Sequence, residues 1–332
     1  MHRRITTLLL AASALASVSL VLPQLPAAAE SYARAFVNGR LVPVYFNDGD
    51  TFRVLEGEYR GSPCRLAGFN TLESYGPVHQ WGDWHPYELY VNAKQATYNG
   101  RRGTWHCTTN GERDTYGRVL TDCPDLAIDQ IRRGLAHAME VDDRPSPPAY
   151  IRAQQAAIAN RRGMWAHGVP DFVMTSLHSL HEDPGREYHY NRLVSTLDGH
   201  SESRQHRESY GECTWICNTE TRVDEARIRA AARRLRESPA LAPRLTELFN
   251  ANLVAAVSRF VRKDELPESI PAELHEDLTA HLAAERAQGL LGETRSERGS
   301  CALYVEFQRR YGVGRAECLR DHGNWHGPPG GP

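Results

Sequence analysis

Short segments rich in β-branched and aromatic residues, separated by glycine turns, follow one another early in this chain. Asn38-Gly39 separates two such segments, and Asn-Gly suits the left-handed positions of a two-residue hairpin turn. Two further strands are predicted over residues 51–55 and 64–69, on either side of another turn. Strands this short and this closely spaced indicate a small sheet or barrel.

Helical segments follow these strands. Residues 86–98, 126–134 and 148–165 are predicted to be helices; Pro86 lies in the first turn of one, and a glycine ends another. A pair of strands around Asn110-Gly111 is predicted between the first two helices. The combination predicts a small α+β domain, a barrel capped by three helices.

The pattern changes after Pro170. Residues 171–220 are polar and contain five histidines, all between residues 178 and 206. The segment shows no clean periodicity, so we interpret it as an irregular linker. Amphipathic segments then predict a mostly α-helical domain over residues 221–326, and the Gly/Pro-rich residues 327–332 are predicted to be disordered. The four predicted helices of this domain cover residues 222–237, 243–262, 272–290 and 297–311.

The first 29 residues are typical of an export signal. A basic start, an apolar stretch and small residues up to Ala29 occur in the order of a secretory signal peptide. A membrane anchor is the alternative, but the apolar stretch is short for a span of about 20 residues and is closed by Pro23 and Pro26. We therefore expect cleavage after Ala29, a secreted or periplasmic location, and no membrane association.

Charge limits how this protein contacts nucleic acid. Residues 30–170 carry sixteen basic and sixteen acidic side chains, and residues 171–332 carry twenty-one and twenty-five. Neither half is basic enough to coat nucleic acid through counterion release alone. Any such contact must come from a local site.

Seven cysteines in an exported chain indicate disulfides. Cys107 and Cys123 flank a predicted hairpin turn and are the preferred pair, and Cys301 with Cys318 is a second expectation. Metal binding is the competing interpretation, but the sequence contains no CxxC pair.

Four stretches of the first half carry groups suited to phosphodiester chemistry. Hydrolysis of a phosphodiester needs a hard cation with oxygen ligands, cationic donors for the phosphate, and a base for the attacking water. Each stretch alone is a weak indication of a catalytic site, whereas the four stretches in this order along the chain are a specific indication. The stretches are Asp48-Gly49-Asp50-Thr51, the run from Arg65 to Glu73, Asp114-Thr115-Tyr116-Gly117-Arg118, and Arg161-Arg162-Gly163-Met164-Trp165.

In this order the stretches resemble the staphylococcal nuclease (thermonuclease) family over residues 35–168. The resemblance implies a five-stranded barrel of the oligonucleotide-binding (OB) type with three helices, here followed by the helical C-terminal domain. It also implies a calcium-dependent nuclease that hydrolyses DNA or RNA, with no obligate protein partner inferred. Arg132-Arg133-Gly134-Leu135-Ala136 and Gly163-Met164-Trp165 match packing features of the same family.

The resemblance assigns roles to seven residues. Glu73 would be the general base, and Arg65 and Arg118 would bind the scissile phosphate and stabilise its developing charge. Tyr116 would lie along the nucleotide. The Ca²⁺ ligands would be Asp50, Asn70 and the backbone carbonyl of Thr71.

One departure from the family affects the calcium site. Asn70 stands where the family usually has a second aspartate, so one negative charge is lost and calcium affinity should fall. Two alternatives follow. Either the site works at the millimolar calcium of an extracellular setting, with Asp48 or another nearby oxygen as a compensating ligand, or it has lost metal and activity. The loop after Glu73 also differs, and its His79, Asp83 and His85 are candidates for a ligand or a substrate contact, with packing of the loop as the alternative.

Three hypotheses therefore remain. The leading one is an exported, calcium-dependent nuclease. The second is a catalytically impaired barrel that binds nucleic acid or protein, which the asparagine at position 70 favours. The third is an exported interaction protein whose function lies in residues 171–332.

Overall fold

The computed structural model describes residues 33–310, 314–322 and 325–327. The expected signal peptide and nearly all of the expected disordered tail lie outside these ranges. Within them the chain is mixed α+β, with six α-helices and a curled, six-stranded half-barrel sheet.

Nine strands belong to the first half of the chain, and six of them form the half-barrel. The order across that sheet is β7-β1-β2-β3-β4-β8. Strands β1 to β4 are antiparallel, whereas the two edge strands are parallel to their neighbours. The nine strands are β1 (Ala33–Val37), β2 (Arg40–Asp48), β3 (Thr51–Val54), β4 (Pro63–Leu66), β5 (Phe69–Thr71), β6 (His79–Gln80), β7 (Thr104–Cys107), β8 (Val119–Thr121) and β9 (Ala136–Ala138).

The first predicted hairpin is confirmed. Strands β1 and β2 pair around Asn38 and Gly39, whose φ angles of 49° and 82° both lie in the left-handed region. The second predicted pair is confirmed in part. Both strands form, as β7 and β8, but they do not pair along their length because they lie at opposite edges of the sheet. One antiparallel bridge, between Thr108 and Asp122, connects the residues that immediately follow β7 and β8. Each edge strand instead hydrogen-bonds to a strand that lies earlier in the chain.

Three helices of the first half form where the sequence predicted them. They are α1 (Pro86–Arg102), α2 (Pro124–Arg133) and α3 (Pro148–Ala159), and each begins with proline. Gly134 ends α2 with a φ of 69°, the left-handed cap that glycine allows without strain. The predicted third helix is shorter than expected and is followed by a single 3₁₀ turn, Gly163–Trp165.

Residues 171–220 are not irregular. They form an antiparallel sheet of β10 (Phe172–Ser176), β11 (His189–Ser195) and β12 (Ser201–His206), followed by β13 (Trp215–Asn218). Phe172, Met174 and Leu193 of this sheet pack with Tyr210 and Tyr304. Val173, on the opposite face of β10, packs with Trp81 and Trp165 of the first half. Because both faces carry buried apolar residues among many polar ones, the sequence shows no clean alternation.

The remaining helices are α4 (Glu225–Glu237), α5 (Asn250–Lys263) and α6 (His275–Ala287), which share one apolar core. The helix predicted over 297–311 is wrong. Short strands β14 (Thr221–Arg222) and β15 (Arg295–Ser296) pair with each other, and β16 (Ser300–Leu303) pairs with β13 on one side and β6 on the other. Pairing on both sides requires an extended chain, which local helix propensity does not reveal.

Three disulfides occur in the described residues, which fits a secreted protein. Cys107–Cys123 confirms the preferred pair. The expected Cys301–Cys318 pair is wrong, because Cys301 bonds to Cys217 and Cys318 bonds to Cys213. Cys64 is buried and carries a free thiol.

Among the residues that the structure describes, no helix is both long and apolar enough to cross a bilayer.

Candidate functional site

The Asp48-Gly49-Asp50 turn joins β2 to β3 and presses against the segment that contains Thr71. A Cβ atom at Gly49 would lie 2.6 Å from Cγ2 of Thr71 and 2.7 Å from Cβ of Ala96. Only glycine permits this approach. The close contact places the Asp50 carboxylate beside the backbone of β5.

The Asp50 carboxylate is buried and accepts several hydrogen bonds. Its Oδ1 is paired with the Arg65 guanidinium and accepts from Thr51 Oγ1 at 3.1 Å. Its Oδ2 accepts from the Thr71 amide at 2.8 Å and from Thr71 Oγ1 at 3.3 Å. Burial acts to raise the pKa of Asp50, but Arg65 and the Thr71 amide outweigh it and lower the pKa. Asp50 is therefore held ionised.

The neighbouring Asp48 has the opposite tendency. Desolvation first, and then the negative charges of Asp50 and Glu73, raise the pKa of Asp48 well above its usual range. The backbone amide of Asp50 donates to Asp48 Oδ1 at 3.3 Å, so the two side chains share one turn. The two acids therefore behave as a pair that retains one proton.

Arg65 links the turn to the residue that departs from the family pattern. Besides its pairing with Asp50, it donates from Nη2 to Asn70 Oδ1 at 2.6 Å. Asn70 in turn donates from Nδ2 to the Thr71 carbonyl at 2.8 Å. The three expected calcium ligands thus lie in one hydrogen-bonded cluster with Arg65.

Glu73 lies just beyond β5, at the edge of this cluster. Burial is the largest influence on its carboxyl and raises the pKa, and the Asp50 charge raises it further. The positive charges of Arg310, Arg65 and Arg118 act in the opposite direction without cancelling the rise. Both arginines predicted from the sequence therefore lie within electrostatic reach of the expected base.

Arg118 and Tyr116 form a second group on the loop before β8. Arg118 donates from Nε to Asp114 Oδ2 at 2.7 Å and from its backbone amide to Asp114 Oδ1 at 2.9 Å. Its guanidinium carbon lies 5.4 Å from the centroid of the Tyr116 ring, and that side chain is 66% exposed. Asp114 thus orients Arg118, a role that the sequence reading had not assigned.

Two buried histidines lie against the site. His79 Nδ1 and His137 Nε2 have no hydrogen-bond partner among the described residues. Burial is the main cause that lowers the pKa of His79 to about 3, and its proximity to His137 and Arg310 acts in the same direction. Burial, opposed in part by a hydrogen bond to the Ala138 carbonyl, lowers the pKa of His137 to about 4. Both rings are therefore neutral at physiological pH.

The other loop candidates have local structural roles. His85 caps α1, because its Nδ1 accepts from the Tyr87 amide at 3.2 Å and its own amide donates to Glu88. The Asp83 amide donates to the His167 carbonyl at 2.9 Å. Arg310 was missed entirely, and no local signal identifies it, since only β16 brings the C-terminal segment to this side of the molecule.

The atoms available around Asp50 are of the kind that binds Ca²⁺. Asp48, Asp50, Asn70 and the Thr71 carbonyl offer oxygen atoms, the ligands that this ion prefers. A proton shared by two buried carboxyl groups is one that a divalent cation would displace. Arg65 occupies the space between Asp50 and Asn70, so binding of an ion there requires Arg65 to release Asn70.

A second polar cluster lies in the β10–β12 sheet. Ligand atoms of His178, Glu182 and His189 lie within 4.8 Å of one another. However, the two imidazole rings are stacked with centroids 4.7 Å apart and planes only 11° from parallel. A metal ion lies close to the plane of each ring that binds it, so this arrangement cannot bind one ion through both rings without rotation of one of them.

The structure thus groups Asp50, Asn70, Thr71 and Arg65 directly, and places Glu73 within reach of Arg65 and Arg118. Tyr116 lies on the exposed side of Arg118. The chain matches no model of a known protein family and no curated protein. The chemistry of these residues is therefore the basis for any functional conclusion.

Proposed function

We propose that this protein is a nuclease that hydrolyses phosphodiester bonds of DNA, RNA or both, and that its half-barrel is an OB-type domain of the thermonuclease kind. The observation that carries the proposal is the environment of Glu73. It is a carboxyl group with a raised pKa, within electrostatic reach of two arginines that the same mechanism requires. Perturbed groups of this kind concentrate at catalytic sites.

Each residue has a defined task in this proposal. Glu73 accepts the proton of the attacking water, and its raised pKa brings the base closer to neutral pH. Arg65 and Arg118 donate to phosphate oxygens and stabilise the charge that develops on them. Tyr116 lies along the nucleotide next to Arg118. Because the base must be ionised, activity falls as pH decreases through the raised pKa of Glu73.

Calcium enters this proposal through the Asp48–Asp50 pair. Asp50, Asn70 and the Thr71 carbonyl would hold the ion, and Asp48 would supply the carboxylate that Asn70 lacks. A bound Ca²⁺ supplies positive charge that polarises the phosphate. Loss of the shared proton from Asp48 and Asp50 keeps the change in net charge small when the ion binds.

A second candidate function is a binding barrel without catalysis. It is favoured by one observation: Arg65 already lies between Asp50 and Asn70, where it neutralises the cluster as a cation would. In that case the site would bind nucleic acid without cleaving it, or bind a protein.

The experiment is hydrolysis of single-stranded DNA by the purified mature protein, in millimolar Ca²⁺ and again with chelator. Glu73→Gln should lower kcat by about 10²–10⁴-fold. Glu112→Gln, an exposed acid on the loop that carries Arg118, is the matched control and should leave kcat unchanged.

The outcomes separate the two candidates. Calcium-dependent cleavage that collapses in the Glu73 variant supports the nuclease. Cleavage that survives this substitution assigns the activity to another site. Absence of cleavage with calcium and with other divalent ions rejects the nuclease in favour of the binding barrel.

A further inference from the structure

The second half of the chain reaches the candidate site through strand pairing. In β16, Cys301 pairs with Gln80 and Ala302 pairs with His79 of β6, and the Leu303 amide donates to the Val78 carbonyl at 2.8 Å. Strand β6 lies in the loop that follows Glu73. The residues after β16 therefore continue along the edge of the site.

Phe307 in this segment contacts the side chain expected to lie along the nucleotide. Its ring stacks on Tyr116 with centroids 6.4 Å apart and planes 20° from parallel. Phe307 is 61% exposed and Tyr116 is 66% exposed. Since neither ring is buried, the pair contributes little to a core and offers π-faces to a ligand.

The spacing of this pair suits a base. A base between two rings needs about 3.5 Å on each side, so a small outward movement of either ring admits one. A base can also stack on the outer face of either ring. Both modes require an unpaired base, because a base in a duplex is already covered by its neighbours.

Arg310 also lies beside the Phe307 ring. Its guanidinium carbon is 5.2 Å from the Phe307 ring centroid, and among the charged residues around Glu73 it has the largest effect on that carboxyl. Its Nε is buried and has no hydrogen-bond partner in the described part of the chain. An unsatisfied buried donor is costly, and an oxygen of a bound phosphate would satisfy it.

We propose that the segment Phe307–Arg310 completes the substrate site: Phe307 and Tyr116 stack an unpaired base, and Arg310 binds an adjacent phosphate. The substrate class is therefore single-stranded nucleic acid. This inference rests on the proposed function for its reaction, but the binding that it describes can be measured without cleavage. It assigns part of the site to residues far outside the segment that resembles thermonucleases.

The test measures binding of a fluorescein-labelled oligo(dT) by fluorescence anisotropy, in the Glu73→Gln background so that the probe is not cleaved. Phe307→Ala should weaken binding about tenfold or more, since stacking of one base on an aromatic ring contributes to that extent. The matched control is Phe249→Ala, because Phe249 is also highly exposed (78%) but immediately precedes α5, outside the proposed site; this variant should bind like the unsubstituted background.

For Arg310 the diagnostic quantity is the dependence of binding on salt. Arg310→Gln should reduce the slope of log K against log salt by about 0.7, the value for one phosphate contact to a single strand. Arg310→Lys should largely retain the slope. The matched control is Arg309→Gln, because Arg309 instead pairs with Glu212 at 2.7 Å.

A change in folding alone would not alter the salt slope, so this readout separates a phosphate contact from a structural role. If oligo(dT) binds equally to the Phe307 and Arg310 variants and to their controls, the inference is wrong, even if the wild-type protein cleaves DNA. If the variants lose binding but the wild-type protein cleaves nothing, the inference stands and the proposed nuclease function falls. A blunt DNA duplex that binds as well as oligo(dT) also contradicts the inference.

Discussion

Two groups of buried carboxylates in this molecule are compensated in very different ways. In the second half, the fully buried Glu297 accepts hydrogen bonds from Arg204 at 3.0 and 3.2 Å and from Asn218 at 3.1 Å, and it also pairs with Arg222. In the first half, Asp48 and Glu73 lie beside Asp50 with Arg65 as the cation hydrogen-bonded to the cluster.

The pKa shifts reflect this difference. Glu202 belongs to the second group because it pairs with the same Arg204 and Arg222. Burial acts to raise the pKa of Glu202, but the two arginines outweigh it and lower the pKa. In the first group burial prevails, and the pKa values of Asp48 and Glu73 are raised. Charges that are fully paired hold a fold in one arrangement, whereas charges left short of partners retain the capacity to bind or react. We therefore call the group around Glu297 the structural cluster, and the group of Asp48, Asp50, Arg65 and Glu73, with the adjacent His79 and His137, the chemical cluster.

The largest expected effect on stability concerns the two neutral histidines of the chemical cluster. Their pKa values are lowered in the folded protein, so the unfolded chain binds more protons as the pH falls below the usual histidine value of about 6.5. Stability is thus fully present above that pH and is lost as the pH decreases. Near pH 5 each histidine should account for a loss of about 2 kcal/mol, so the wild-type protein should lose about 4 kcal/mol through the two together.

Urea denaturation at neutral pH and near pH 5 measures this loss. His79→Gln and His137→Gln should each lose less stability between the two conditions than the wild-type protein does. The exposed His326→Gln should behave as wild type. Equal pH dependence in all variants would show that neither ring is buried in its neutral form.

A smaller effect is expected from the structural cluster. Glu297→Gln removes one charge from a buried group whose arginines then lack a partner, so the free energy of unfolding should fall by about 3 kcal/mol. The proposed hydrolytic activity, measured per folded molecule, should not change. Chemical denaturation measures the loss of stability, and kinetics corrected for the fraction of folded protein measure the activity. If kcat falls in a fully folded variant, the structural cluster also contributes to the chemistry and the distinction between the two clusters is wrong.

The smallest effect should come from Asp48→Asn. A carboxyl whose pKa is raised by folding contributes stability below its unfolded pKa and loses it as the pH rises. The amide avoids that loss and still accepts from the Asp50 amide through its oxygen. In the absence of calcium this variant should therefore be more stable than wild type at neutral pH and equal to it in acid. Calcium should stabilise the variant less than the wild type, as thermal denaturation with and without the ion would show.

Much of the first half could be predicted because its signals are local. The Asn38-Gly39 turn, the prolines that begin α1 to α3 and the glycine after α2 each restrict the backbone at their own position. Arg65, Asn70, Thr71 and Glu73 were recognisable because a strand and the segment after it hold them within nine residues of one another. Their roles in catalysis and calcium binding stay predictions.

The errors share a different origin. Strand β16 was read as part of a helix, and the sheet of β10 to β12 was read as an irregular linker, because pairing with distant strands overrides local propensity. The partner of Cys301 was misassigned for the same reason: Cys217 faces it across the β13–β16 pair. The same long-range pairing conceals Arg310 and Phe307 from any reading of local motifs.

The turns, most of the helices and the residue types available for chemistry follow from the sequence alone, since they depend on backbone preferences and on spacing within short segments. Which carboxyl groups remain short of partners, and which distant side chains meet Glu73 and Tyr116, depends instead on the folded arrangement of the chain. Burial and the distance between charges set those properties, and both arise only when β16 joins β6 and the two halves of the chain pack together.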